Sequence, residues 1–482
     1  MKKQFGCYAS DEELEEIAWV NDEYIRLNAL RRPEANNANI YHYAHYNEAR
    51  RMLARARELE RRNEQLMDRL RFTPAGDGYY SMIFFPAAAS ANLLKMYLQA
   101  GMNDIYASQG KAIANIYGGK MSQAISRDRI LSRDIADFKG GKWSGMEKAF
   151  HIGFVNWNSE DWRYPIRHMV TLPSGPRLVV SRLDGTKVYT NQYFPVPLEF
   201  NDFLSVEDEF VILQISNGGN GLLKWRIEER CDYLEFSSYH GETEFSDEVK
   251  IWVHKDKLPV GEIQEFTCRV RTETETVPVL FRVLNQDLSE VPSGAFVERN
   301  GRCVLDAADY QTVVSGAYEG TPVEFRKIED YGKYESGMKA FPTIAEFTSE
   351  DWVDGKAPYM TYDVWVYHPG DYKLQLHTSP ANPLHYGGSL NYGVSVNGGA
   401  AETVCMTGEN YRGGDGGCGA WCRAVLNQEH VSEIPVALKE GLNTIKVYAG
   451  DAGVVLERLT LYRADKPLKT SYMGPLKSYR KD

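Results

Sequence analysis

"LLKWRIEE", residues 222–229, alternates Leu223, Trp225 and Ile227 with Lys224, Arg226 and Glu228. A period of two puts the apolar side chains on one face of a strand and the charged ones on the other. "EFTCRV" (265–270) repeats the pattern with Phe266, Cys268 and Val270. Upstream the period differs. "NEARRMLARARELERRNEQLMDRL" (47–70) spaces Ala49, Met52, Ala56, Leu59, Leu66 and Leu70 at three- and four-residue steps, interrupted at Asn63. That is the stripe of a bundle helix, with arginine and glutamate outside. The change of period near residue 140 decides the fold: helices first, strands afterwards.

The helical part carries further signals. Ser10 and Glu13 form a capping box ahead of Leu14, Ile17, Tyr24 and Leu27. Helices are predicted over Ser81–Ala100, kinked near Pro86, over Asp104–Tyr117, and through "MSQAISRDRILSRDIADF". In the β part, Asp184-Gly185 between "RLVVSRL" and "TKVYTNQYF" predicts a hairpin. "MTYDVWVY", "DYKLQLH", "NYGVSVNG", "NTIKVYAG" and "VVLERLTLY" read as strands separated by Gly, Asn and Pro turns. The predicted organisation is a helical bundle at 1–138, a connector at 139–168, an Ig-like β-sandwich at 169–290, a jelly-roll-like sandwich at 291–464 and a mobile basic tail at 465–482. In fold class this is an antiparallel helical bundle followed by two antiparallel β-sandwiches. "GMEKAFHIGFVNWNSEDW" (145–162) and "GMKAFPTIAEFTSEDW" (337–352) echo one another, but their flanks share no pattern, so no tandem repeat is inferred.

With 43% hydrophobic and 25% charged residues in 482, the chain reads as folded protein with a sizeable core. Its net charge of −11 disfavours a nucleic-acid partner, and over residues 1–72 the 13 Lys and Arg are balanced by 13 Asp and Glu. No apolar run follows Lys2 and Lys3, and "YYSMIFFPAAASANLL" (79–94) is too short to span a bilayer, so neither a signal peptide nor a membrane partner is expected. The 7 cysteines are odd in number and scattered, which suits free thiols in a reducing cytoplasm. Cys418 and Cys422 lack further ligands at metal spacing, and no metal or other cofactor is expected.

Several stretches in order carry a resemblance: "YHYAHYNEARRML" (41–53), "SANLLKMYLQAGMNDIYASQGKA" (90–112), "GGKWSGMEKAFHIGFVNW" (140–157), "VERNGRCVLDAADY" (297–310), "APYMTYDVWVYHPGDYKLQLHTSPANPLHYGGSLNYGVSVNG" (357–398) and "GLNTIKVYAGDAGVVLERLTLY" (441–462). Together they resemble glycoside hydrolase family 115, the xylan α-glucuronidases, over nearly the whole chain. In that family an α/β domain and a catalytic barrel precede a bundle and β-sandwiches, and the likeness is to the part after the barrel. Independently, a (β/α)₈ barrel needs ~250 residues of alternating strand and helix, whereas helices and strands are segregated here. No catalytic residue is therefore assigned. The resemblance implies a non-catalytic C-terminal part acting on glucuronoxylan through a separate catalytic-barrel chain, from a split or truncated gene, and a homodimer. The alternative is a stand-alone carbohydrate-binding or scaffold protein.

Two groups of residues are candidates for substrate or partner contact. Trp143, His151 and Trp157 cluster at the bundle exit, either as a sugar or interface wall or as a junction core. Arg326, Asp330 and Lys333 lie in "FRKIEDYGKYESGM" (325–338), either as a charged hairpin in solvent or as a grip on an acidic sugar. The resemblance implies Arg where Lys333 stands, and a lysine cannot make the bidentate grip of a guanidinium. "YRGGDGGCGAW" (411–421) reads as a flexible glycine-rich loop over the sandwich.

Overall fold

Ser10 starts the first long helix, α1 (Asp11–Leu30), as its hydroxyl accepts the Glu13 amide at 3.2 Å and the Glu13 carboxylate takes the Ser10 amide at 2.8 Å. Leu14, Ile17, Val20, Leu27 and Leu30 form its buried stripe. In this computed structural model, which describes residues 1–146, 152–153, 164–204, 210–384, 388–408 and 410–482, α2 (Glu48–Leu70), α3 (Phe85–Ser108) and α4 (Ile113–Gly141) complete the bundle. The helix α3 buries residues nearly all round, including Ala87, Ala91, Leu94, Leu98 and Met102, and occupies the middle of the bundle.

Two features of the bundle correct the sequence reading. Helices were expected over Ser81–Ala100 and Asp104–Tyr117, but α3 runs unbroken through Gly101 and stops at Ser108. A Cβ on Gly101 would lie 2.5 Å from the Ala38 carbonyl oxygen, so this glycine admits a neighbouring backbone and does not end the helix. The break falls at Gly110, where φ is +66°. Asn63, the interruption in the α2 stripe, is fully buried. Its amide donates to the Phe84 carbonyl (2.9 Å) and accepts from Tyr79 Oη (2.7 Å), bracketing the π-helical turn Tyr80–Phe84 ahead of Pro86. Asn63→Ala should cost about 2–3 kcal/mol, since both buried partners lose their bond. Chemical denaturation followed by hydrogen exchange in 79–84 would measure it.

The first sandwich comprises β1 (Leu178–Arg182), β2 (Tyr189–Thr190), β3 (Leu198–Leu204), β4 (Val211–Asn217), β5 (Leu223–Glu228), β6 (Leu234–Phe236), β7 (His240–Thr243), β8 (Ser246–Val253), β9 (Ile263–Arg271) and β10 (Thr276–Leu284). The sheets run β2-β1-β4-β8-β6 and β3-β10-β9-β5-β7. Leu223, Trp225 and Ile227 face the core with Cys268, Val270, Val180 and Ile215, as the period of two requires. The hairpin around Gly185 pairs Val180 with Tyr189. The ladders are antiparallel except that β3 and β10 run parallel, a departure from the all-antiparallel expectation.

Bundle and first sandwich were expected as separate domains. They form one compact unit, Met1–Gln286 with Thr470–Met473. Polar side chains join them. Lys111 is fully buried and donates to Ser181 Oγ (2.8 Å) and Gln214 Oε1 (2.7 Å). Arg50 pairs with Glu248 at 2.7 Å, and Tyr43 Oη donates to the Gly185 carbonyl at 2.8 Å. Asn103 and Asn115 each trade two hydrogen bonds with the extended backbone at His168 and Val170. Segment 465–482, expected to be mobile, is held as well. In this unit Tyr472 is buried, and Glu48 accepts the amides of Tyr472 and Met473.

The second unit is Asp287–Lys469 with Gly474–Asp482. Its strands are β11 (Phe296–Val297), β12 (Arg302–Asp306), β13 (Thr312–Val314), β14 (Gly316–Tyr318), β15 (Thr321–Glu329), β16 (Ser336–Phe341), β17 (Tyr359–Val366), β18 (Gly370–Thr378), β19 (Leu390–Val396), β20 (Glu402–Thr407), β21 (His430–Leu438), β22 (Gly441–Tyr448) and β23 (Leu456–Arg463). One sheet runs β11-β17-β22-β19-β20, with β13 on β17. The other runs β14-β15-β16-β23-β18-β21, with β12 on β23. Tyr362, Val364, Leu374, Leu376, Ile445 and Leu459 fill the space between them. Here too the tail is ordered: Ser478 Oγ receives the Val304 amide at 3.0 Å.

Candidate functional site

The strand registers bring four connections to one end of the second sandwich. Thr378, at the end of β18, pairs with both His430 and Leu456, the first residues of β21 and β23. Met338 near the start of β16 also pairs with Leu456, while Tyr448 at the end of β22 lies beside Gly393 of β19. The turn at 330–335 and the loops that follow β18, β20 and β22 therefore share this end. Binding loops commonly gather at such an end, carried by a rigid sandwich.

These loops are built against one another. Gly413 packs directly against the Asn382 side chain, whose Oδ1 lies 2.0 Å from where a Cβ would stand. Asp451 accepts the Asn391 amide at 2.6 Å, and Ser379 donates its amide to the Val455 carbonyl at 3.0 Å. Within the glycine-rich stretch Asp415 takes Arg412 Nε at 2.7 Å and the Gly417 amide at 2.8 Å. The stretch was read as a flexible loop; it leads into a helix, Gly419–Asn427.

Beneath the loops lies a buried polar cluster. Lys333 Nζ donates to Glu429 Oε1 at 2.6 Å, Tyr334 Oη donates to Glu429 Oε2 at 2.9 Å, and His377 Nδ1 lies 2.8 Å from the same oxygen. Glu457 Oε2 receives the amides of Lys333 (2.7 Å) and Tyr334 (3.2 Å), and Ser379 Oγ donates to its Oε1. Burial alone would raise Glu429, but the His377 hydrogen bond and the Lys333 charge overcome it and bring it to about 2. Glu457 goes the other way: burial raises it to about 7 against its hydrogen bonds, and Glu429 adds to the rise. One carboxyl is charged and one is poised, a contrast found at acid–base sites. Yet Lys333 and Glu457 are each 1% exposed, so a glycosidic bond cannot reach them. The cluster supports the loops.

Of the contact candidates, Lys333 is thus a buried strut, contrary to the expectation that it presents charge outward. Arg326 is exposed on β15, its Nε bonded to Glu324 Oε1 at 2.7 Å, and Asp330 is exposed too. Asp330 sits in the turn with φ +53°. Trp143 lines an apolar groove of about 470 Å³ in the first unit, with Phe85, Leu93, Leu131, Ile135 and Met146. His151 and Trp157 lie outside the described residues. Sequence reasoning missed Glu429, Glu457, His377 and Ser379. A signal existed for Glu457, which shares strand parity with the core residues Leu459 and Leu461. Among the described residues, no group of three His, Cys, Asp or Glu is arranged to hold a metal ion, and no helix is long and apolar enough to cross a membrane.

Residues 295–477 match the family model described as the glycosyl hydrolase family 115 C-terminal domain. The match spans nearly the whole second sandwich. Among solved structures, the chain is similar to a family GH115 4-O-methyl-α-glucuronidase with specificity for decorated arabinogalactans, at 13% identity and a TM-score of 0.48, over 94% of this chain and 40% of that one. The chain thus spans about two-fifths of that structure's length. A family 35 carbohydrate binding module from Clostridium thermocellum is similar at 13% identity and a TM-score of 0.23, over 34% of this chain and 98% of that one. No curated protein matches the chain.

Proposed function

We propose that this chain is a non-catalytic part of an α-glucuronidase-like glycoside hydrolase, supporting a separate catalytic-barrel chain and contributing to contact with acidic xylan. The observation that carries the reading is the family 115 C-terminal domain over residues 295–477. Homodimerisation and a cytoplasmic setting belong to the same proposal. The loop end of that domain is the surface offered to the oligosaccharide. Arg326, exposed on the neighbouring strand β15, is the cation proposed to meet a uronate carboxylate. Lys333 acts from beneath, fixing the turn.

Calorimetric titration with glucuronic-acid-bearing and neutral xylo-oligosaccharides tests the contact. The acidic ligand should bind more tightly, and Arg326→Ala should weaken it about tenfold, the loss of one exposed charge-assisted bond. Equal affinities, or no binding of either, would remove the contact from the proposal. The purified chain by itself should release no glucuronic acid from these oligosaccharides. Turnover abolished by a substitution within the chain would show that it carries its own catalytic groups.

A further inference from the structure

We propose that Glu457 is a proton-operated latch for the turn at 330–335, holding the loop end of the family 115 domain closed when protonated and letting it open when ionised. The carboxyl is the anchor of that turn: it receives two consecutive turn amides, from Lys333 and Tyr334, and ties them to Ser379 at the start of the loop after β18. The fit is close. At Gly332, where φ is +72°, an added Cβ would lie 2.2 Å from Glu457 Oε1. The turn seats on the carboxyl only through glycine.

Among the described residues, the lysine and arginine nearest Glu457 already face other carboxylates. The turn brings Lys333 and Tyr334; β18 brings His377; the residue before β21 is Glu429; β23 itself brings Arg458, and β12 brings Asp306. Lys333 is paired with Glu429 at 2.6 Å, and Arg458 with Asp306 at 2.8 Å, its guanidinium 3.9 Å over the Tyr334 ring. Ionisation of Glu457 therefore sets a second carboxylate beside Glu429 in a site 1% exposed. Protonated, the carboxyl keeps an acceptor for the two amides and shares a hydrogen bond with Ser379.

The sign follows from linkage. In the closed turn burial raises Glu457 to about 7, whereas in an open turn the carboxyl meets water and returns towards the ordinary glutamate range near 4.3. The closed form thus binds the proton more tightly. Closure is fully favoured below the open-state value and is progressively lost as pH rises through about 7. The inference concerns the turn alone and stands whether or not the loop end binds a sugar.

Hydrogen exchange of the full chain, read on peptides spanning 329–336 and corrected for intrinsic rates, tests it. Between pH 5.5 and 8.5 the opening constant should rise roughly tenfold or more, a tenfold change corresponding to one unit of separation between the two forms. In Glu457→Gln, which keeps an acceptor and cannot ionise, the opening constant should be flat. The wild-type infrared spectrum should show a protonated-carboxyl band at pH 6 that is gone by pH 8, a readout that needs no variant. A flat wild-type opening constant, an equal rise in Glu457→Gln, or no such band would overturn the latch.

Discussion

Glu429→Gln should lower the stability of the second unit by about 3–5 kcal/mol, whereas Arg326→Ala should change it by less than about 0.5 kcal/mol. The two substitutions probe two cations of one stretch, Lys333 through its partner Glu429 and Arg326 directly, which burial separates. Glu429 is the carboxylate against which Lys333, 1% exposed, is neutralised, and the same oxygens receive Tyr334 and His377. Removing it leaves a buried ammonium facing an amide. Arg326 pairs with Glu324 on an exposed strand, where solvent screens the attraction. Denaturant unfolding of the full chain, assigned to the second unit by exchange of peptides in 295–463, separates the outcomes. Equal losses would mean that the cluster does not hold the loop end. The wild type should also lose stability in acid. Glu429 is depressed to about 2, so its contribution is present above the ordinary glutamate range and disappears as pH falls towards 2.

The first unit should show the same sign of pH dependence in a higher range, gaining about 3 kcal/mol of stability between pH 7 and 9.5 through Lys111. Burial, aided by the nearby Arg50 charge and opposed by Glu248, lowers this lysine to about 7. Its partners, Ser181 and Gln214, are both neutral. Between that value and the ordinary lysine range near 10.4 the unfolded chain holds a proton that the folded one has released, so stability rises with pH. Lys111→Met keeps the aliphatic volume and should abolish this slope. The difference between variant and wild type isolates it from the buried tyrosines Tyr41, Tyr43 and Tyr79, which burial raises and which oppose the trend above about pH 10. Parallel pH profiles for the two proteins would contradict the assignment.

What the sequence made legible follows from how local each signal is. The alternation at 222–229 became β5, and the Ser10 box became the cap of α1, because both depend on neighbours within a few residues. Gly101 misled because helix propensity ignores the Ala38 backbone that approaches it from elsewhere. The parallel pairing of β3 with β10 joins segments remote in sequence and leaves no trace in the period of either strand. Lys333 shows the same limit at the candidate site. Its letter reads as surface charge, and only the fold reveals that Glu429, remote in sequence, neutralises it. Bundle and first sandwich looked separable because composition changes between them, while the contacts that merge them, Lys111 to Ser181 and Arg50 to Glu248, are single polar side chains in otherwise ordinary stretches.

Support of a separate barrel is the central claim, and reconstitution tests it most directly. The chain would be co-expressed with a family 115 catalytic-barrel polypeptide, the complex isolated, and release of glucuronic acid from xylo-oligosaccharides measured against each polypeptide alone. The expected result is a stable complex whose activity exceeds that of the barrel polypeptide and is lost when the complex is dissociated. A barrel polypeptide equally active alone, with no complex formed, would contradict the account and leave the chain as a protein that acts without a catalytic partner.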